Sequence, residues 1–185
     1  LNALHNRTVK SMKDFDNFGV VKVIYAHAKI STQVKEPLRT KMIQFIVTKC
    51  STFNGQDVAN TLYSIRKKCL DPIDKPVRKC IIGLLTRCEH LSTSIKPMEI
   101  ANIVWSSSMT LSKFQFQKFR HILQSICLQL SPKFDVQHVA MVLEGFVVGE
   151  VILDDEFVNA IVENISTHIS SSDKFSMQNF SSILH

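Results

Sequence analysis

Glycine and proline are scarce in this chain, since each occurs only five times among 185 residues. That scarcity excludes a fold built from many tight turns and favours long helices. No run of about 18 apolar residues occurs, so the sequence predicts no membrane-spanning segment. Aromatic residues other than Phe are also few, with two Tyr and one Trp. Apolar residues nevertheless make up 45% of the chain, which is enough to build the core of one ordinary domain.

Recognisable sites for metals, cofactors or catalysis are also missing. The five cysteines are odd in number and follow no disulfide framework, which predicts a reducing compartment. Cys80, Cys88 and His90 lack the paired C-x-x-C spacing of a structural zinc site. The three carboxylates at 154–156 are adjacent, so they cannot converge on one point as a catalytic pair does. With no Gly-rich phosphate loop and no nucleophile motif, we expect no metal, no cofactor and no enzyme.

The charge of the chain is basic overall and unevenly distributed. The formal net charge is +6. Residues 1–92 hold 16 Lys and Arg against 7 Asp and Glu, whereas residues 93–185 hold 6 against 9. We therefore expect the two halves to present surfaces with different partners. An ordinary solvated surface is the alternative, because charge alone fixes no partner.

A phrase of helical periodicity recurs along the chain. The copies begin at Phe15, Phe53, Ile95 and Phe134, and a truncated copy begins at Phe175. The intervals between them are 38, 42, 39 and 41 residues. This spacing predicts a repeat with a period near 40 residues.

Within each copy, apolar residues stand 5, 8, 9 and 12 positions after the leading residue, on one face of a helix. Small residues at positions 6 and 11 would let a neighbouring helix approach closely. A second helical segment follows each copy, at 37–50, 75–91, 112–130 and 154–169. The pattern predicts an all-α, right-handed or superhelical α-solenoid of helix-turn-helix repeats, with residues 1–185 as one segment of it. Because the chain begins at Leu1 and its last copy is short, we also expect a processed or partial chain.

The most regular copies contain the phrases "ANTLYSIRK" and "ANIVWSSSM", with Ala59-Asn60 before Tyr63 and Ala101-Asn102 before Trp105. These phrases resemble the organellar helical-repeat RNA-binding proteins, which include the octotricopeptide-repeat, heptatricopeptide-repeat and FAST-kinase-like families. The resemblance implies a mitochondrial or plastid protein that binds RNA, and we expect a non-catalytic RNA-binding protein of the mitochondrial matrix. It also implies ribosomal RNA as the ligand, within a mitochondrial ribosome. The copies at Phe15 and Phe134 depart from the phrase, since they lack Ala-Asn.

Candidate RNA-binding residues lie in two groups. Positions 3, 7 and 14 of each copy share one stripe of the first helix and carry amides and cations in the first two repeats. A dense cationic cluster spans residues 66–79, where phosphate contact would make affinity fall steeply with salt. In the later repeats the stripe turns apolar, so we expect shape and phosphate binding rather than a base-by-base code. The candidates are Lys22, Lys29, Gln56, Asn60, Arg66, Lys67, Lys68, Lys75, Arg78, Lys79 and Asn102.

Each of these interpretations has a plainer alternative. The 66–79 cluster is a solvated turn if Asp71 and Asp74 neutralise it. Asn60 and Asn102 are structural if their amides cap or bridge to neighbouring backbone. We expect the aromatic column, with Tyr63 as one member, to be interhelical core, and a base-stacking surface is its alternative. For the whole chain, the alternative is a protein–protein adaptor of armadillo or HEAT type. In either case we expect protein partners through the C-terminal half.

Overall fold

The computed structural model of the protein describes the backbone of residues 2–170 and the side chains of residues 6–167. Within that part the protein is entirely helical, as the sequence predicts, with no strand. No helix of the described part is long and apolar enough to cross a membrane. The copy predicted to start at Phe175 lies outside the described residues. The helices are α1 (Asn2–Ser11), α2 (Asn17–Lys29), α3 (Leu38–Lys49), α4 (Gly55–Arg66), α5 (Lys75–Glu89), α6 (Pro97–Ser108), α7 (Lys113–Gln117), α8 (Arg120–Leu130), α9 (Val136–Val148) and α10 (Asp155–Ser170).

The chain divides into two compact units, residues 1–91 and residues 92–185. In the first unit α2 packs on α4, and α3 packs on α5. In the second unit α6 packs on α9, and α8 packs on α10. Each unit therefore pairs the two helices that begin with the recurring phrase, and separately pairs the helices that follow them.

Three of the recurring phrases begin in the same local structure. Phe15, Phe53 and Phe134 each follow a short 3-10 turn, and each backbone N–H donates to the carbonyl three residues earlier at 3.1–3.3 Å. Phe53 and Phe134 are buried. Their own carbonyls accept hydrogen bonds from the following helices, from Arg87 Nε at 2.9 Å and from Asn164 Nδ2 at 3.0 Å. These contacts fix the phenylalanine backbone where the chain turns into α4 and α9.

The residue after each of these phenylalanines starts a helix. Asp16, Asn54 and Asp135 have extended backbone, and each side chain accepts from the N–H three residues later at 2.7, 2.9 and 2.8 Å. Such N-caps satisfy a backbone donor that the helix leaves unpaired. At the start of α9 the cap is reciprocal, because the Asp135 N–H donates to His138 Nδ1 at 3.1 Å.

Phenylalanine fills the centre of the second unit. The Phe146 ring lies 5.6 Å from Phe157 in an edge-to-face arrangement and 6.3 Å from Phe116, and all three side chains are buried. Edge-to-face and tilted pairs suit the ring quadrupoles and add about 0.5–1.5 kcal/mol each to the burial of the rings. This cluster ties α7, α9 and α10 together.

The segment predicted as one helix at 112–130 is divided in the structure. α7 ends at Gln117 and α8 begins at Arg120. Between them, the N–H groups of Lys118 and Phe119 donate to carbonyls three residues earlier, at 3.3 and 2.9 Å, instead of four. This tighter hydrogen bonding breaks the regular helix while Phe116 stays in the core.

Candidate functional site

Two parallel rows of side chains follow the outer faces of α2 and α4. On α2 the row is Phe18, Lys22, Tyr25 and Lys29, and on α4 it is Gln56, Asn60, Tyr63 and Lys67. The spacing within each row is four, three and four residues, so its members share one helix face. Lys22, Lys29, Gln56 and Lys67 are exposed, whereas Asn60 and the two tyrosines are half-buried. Because α2 packs on α4, the structure brings the predicted stripe residues of the first two repeats onto neighbouring helices.

The two tyrosines meet at the centre of this surface. Their ring centroids lie 5.6 Å apart, with the planes tilted by 45°. The ammonium of Lys29 lies 5.1 Å from the Tyr25 centroid and 5.5 Å from the Tyr63 centroid. The ammonium of Lys67 lies 5.8 Å from the Tyr63 centroid. All three distances fall within the range of a cation–π interaction. We name these four residues the tyrosine–lysine cluster.

Lys29 is held as a cation by this environment. Its pKa is raised above the usual lysine value, first by hydrogen bonding with the Tyr25 side chain and then by the charges that Tyr25 and Tyr63 develop at high pH. Burial lowers the pKa of Lys29, but this effect is smaller than the effects of the two tyrosines. Lys29 is therefore positively charged throughout the physiological pH range.

A second ammonium–ring pair lies on α2. The ammonium of Lys22 is 5.0 Å from the ring centroid of Phe18, which is 59% exposed. In both pairs on α2 the lysine follows the aromatic residue by four positions, and Tyr63 and Lys67 repeat that spacing on α4. The spacing places the long lysine side chain back over the ring of the preceding turn.

The tyrosines are less buried than the sequence-based assignment to the interhelical core implies. They are half-buried rather than buried, and they contact two of the predicted cationic residues. An aromatic residue followed four positions later by lysine was the signal in the sequence. Three pairs in the first unit have this spacing, namely Phe18 and Lys22, Tyr25 and Lys29, and Tyr63 and Lys67.

The cationic residues at 66–79 have mixed surroundings. Lys68, Lys75 and Lys79 are exposed, and Arg66 and Arg78 are half-buried. Arg78 donates through Nη2 to the Ile73 carbonyl at 2.7 Å, so it holds the turn before α5. Lys68 is the residue at which the chain leaves α4, with a φ of 59°.

The two acidic residues in this turn each have an ion-pair or hydrogen-bond partner. Asp74 forms an ion pair with Arg39 of α3. An Asp71 carboxylate oxygen accepts from the Ile73 N–H at 3.0 Å. The ion pair with Arg39 weakens the alternative for Asp74, whereas Asp71 bonds to an uncharged backbone N–H and the alternative stands for that residue.

The equivalent positions of the second unit have a different character. On α6, Met98 and Met109 are 41% and 38% exposed, and Trp105 is half-buried between them in sequence. On α9 the corresponding row includes Glu144 and Val148. Asn102 donates through Nδ2 to the Met98 carbonyl of its own helix at 2.9 Å, so at least one amide hydrogen is used structurally. The second unit therefore has Met109 and Val148 where the first has Lys29 and Lys67, and Trp105 and Glu144 where the first has the two tyrosines.

Three of the four cysteines of the first unit, Cys69, Cys80 and Cys88, are buried core residues, and Cys50 is half-buried. Burial raises the pKa of Cys69 to about 11, and that of Cys80 and Cys88 to about 12. They are therefore thiols rather than thiolates at neutral pH. In the part of the chain that the structure describes, no group of three or more His, Cys, Asp or Glu is arranged to hold a metal ion.

No family model, no curated protein and no solved structure matches this chain.

Proposed function

We propose that this protein is a non-catalytic helical-repeat scaffold that binds RNA through the outer faces of α2 and α4. The observation that carries the proposal is the tyrosine–lysine cluster. Exposed ammonium groups from two neighbouring helices converge over paired aromatic rings, in a half of the chain with 16 basic residues against 7 acidic ones. Clustered cations on one face are the electrostatic signature of a nucleic-acid-binding surface.

The packing within each unit supports an α-solenoid of repeats. The 3-10 turn, the phenylalanine and the N-cap occur in the same order before α2, α4 and α9. Helices that begin with the phrase pack on each other, as do the helices that follow them. This is the packing expected when neighbouring two-helix repeats stack. Ribosomal RNA as ligand and a mitochondrial ribosome as location are supported by the resemblance of the Ala-Asn phrases to organellar repeat proteins.

Protein contact through the second unit is the companion proposal. Met98 of α6 and Met109 at its end expose flexible apolar side chains; Met109 stands where the first unit has Lys29 and Lys67, and Met98 stands where it has Phe18 and Gln56. Methionine-rich surfaces adapt to protein partners. A scaffold with an RNA-binding unit and a protein-binding unit accounts for the change in character between the two rows. If the first unit binds no RNA, the chain is a protein–protein adaptor.

Ultraviolet crosslinking of the native particle, followed by mass spectrometry of nucleotide-linked peptides, tests the proposal. We expect adducts within residues 22–79. If neighbouring proteins crosslink well and this chain gives no adduct, the RNA-binding role is wrong. Lysine-directed chemical crosslinking of the same particle would then identify the protein partners of the adaptor.

A further inference from the structure

The tyrosine rings in the cluster have little free surface for a stacked base. Each ring lies against the other at 5.6 Å, and lysine ammonium groups lie near both rings. Both tyrosines are also half-buried between their helices. A nucleobase that stacks on an aromatic side chain needs an open, flat face. In this arrangement the lysines occupy the space that a base would take.

The lysines, by contrast, remain accessible. Lys29 and Lys67 are exposed, and each ammonium has three donors that can rotate toward a ligand. The shared Tyr63 ring holds the two ammonium groups on one side of the helix pair, at 5.5 and 5.8 Å from its centroid. A long lysine side chain loses rotamer entropy when it binds a ligand, and a ring that already restrains it reduces that loss.

We infer that the tyrosine–lysine cluster binds the phosphates of single-stranded RNA, and that its tyrosines act as positioning residues for the lysines instead of stacking on bases. This inference rests on the proposed function. Lysine is a point charge that binds phosphate oxygens without reading the base sequence. The lysine of the second ring pair on α2, Lys22, extends the same surface along the helix. The first unit is therefore expected to follow the RNA backbone with little sequence preference.

The test compares two fluorescent oligonucleotides of equal length, one a single-stranded RNA and the other an abasic backbone without bases. The full chain is titrated with each, by fluorescence anisotropy, between about 50 and 200 mM salt. We expect the abasic oligonucleotide to bind within about threefold of the RNA, because phosphate contacts are retained. Loss of roughly tenfold or more in affinity without bases would overturn the inference while leaving the RNA-binding function intact, because that is the size of a lost stacking contact. Absence of binding by both oligonucleotides would overturn both.

Variants identify the residues responsible. Lys67→Gln should reduce the slope of log affinity against log salt by about 0.7, the value for one lost phosphate contact on a single strand. Lys133→Gln, an exposed lysine of the second unit, is the matched control and should leave the slope unchanged. An unchanged slope for Lys67→Gln would overturn the assignment of this residue, whatever the total affinity.

The tyrosine is tested by two substitutions. Tyr63→Phe keeps the ring, so binding to both oligonucleotides should stay within about twofold. Tyr63→Leu removes the ring that restrains both lysines, and it should weaken the RNA and the abasic oligonucleotide by the same factor. A loss confined to the RNA would indicate base stacking and contradict the inference. Far-UV circular dichroism of each variant confirms that the helices are retained.

Discussion

Gly145 of α9 is the position where a single methyl group should disturb the packing of the second unit. A Cβ added there would lie 2.7 Å from Val104 Cγ1 of α6, and 3.1 Å from both the Trp105 amide nitrogen and the Val104 carbonyl carbon. Contacts under 3.0 Å between such atoms require movement. Val104 is fully buried and stiff at χ1, and the other two atoms are backbone. Relief therefore requires that α6 and α9 separate.

Two opposing terms set the effect of Gly145→Ala on the free energy of unfolding. Alanine in a helix interior is favoured over glycine by about 1 kcal/mol. Overpacking a close helix contact costs about 1–3 kcal/mol. Because backbone atoms form part of the contact, we expect the cost to exceed the gain and the variant to be less stable by about 1 kcal/mol.

Gly83→Ala is the matched control, since Gly83 also lies inside a helix. Its added Cβ would meet the Cys50 sulfur at 3.0 Å, and that sulfur ends a half-buried side chain that can move. This variant should be as stable as the wild type or more stable by up to about 1 kcal/mol. Urea unfolding followed by circular dichroism measures both. If Gly145→Ala stabilises the protein as much as Gly83→Ala does, the contact at Gly145 does not hold α6 and α9 at the distance described.

Three further predictions concern helix ends and a buried amide. Burial lowers the pKa of His138 and outweighs the opposing effect of Asp135. As the pH falls, this histidine is therefore protonated in the unfolded state before it is protonated in the folded state. It should make the folded protein less stable as the pH drops below about 6.5. His138→Gln keeps the N-terminal cap of α9 but has no group that titrates in this range. Urea unfolding between about pH 7 and pH 5.5 should therefore show a smaller change in stability for this variant than for the wild type. Equal changes would contradict the role of His138 in the pH dependence. Ser31 has a φ of 52°, so Ser31→Gly should raise stability by about 0.5–1 kcal/mol, whereas Ser31→Ala should give no gain in the same assay. Asn164 donates to two backbone carbonyls at 2.8 and 3.0 Å. Asn164→Ala should therefore lower the free energy of unfolding by about 1–3 kcal/mol. A loss below about 0.5 kcal/mol would show that water replaces both hydrogen bonds.

Much of the fold was predictable because its signals are local. The recurring phrase indicated helices, and α2, α4, α6 and α9 each begin about two residues after its leading residue. The small residue expected at position 11 is Gly145, and the structure gives it the close helix contact that small residues permit. Side-chain size and apolar periodicity are enough for such predictions.

The site was less predictable because its contacts depend on side-chain directions and on pairing across the chain. The ion pair between Arg39 and Asp74 joins residues 35 positions apart, and no local pattern announces it. Likewise, Tyr63 was assigned to the core because an aromatic residue beside apolar positions usually lies there. Its half-burial depends on how α2 and α4 pack, and that packing also places Lys29 of α2 near the Tyr63 ring of α4. A single helix considered alone contains only half of this contact.

The aromatic position of the phrase therefore has different surroundings in the two units. In the first unit Tyr25 and Tyr63 lie beside lysines, whereas in the second Trp105 lies in a row with two exposed methionines. The helix pairs are alike in their buried positions, so the fold does not require this difference. It follows instead from which residue stands four positions after the aromatic one, namely lysine in the first unit and Met109 after Trp105 in the second. Substituting that one exposed position exchanges an ammonium for a thioether without changing the helix pair beneath it.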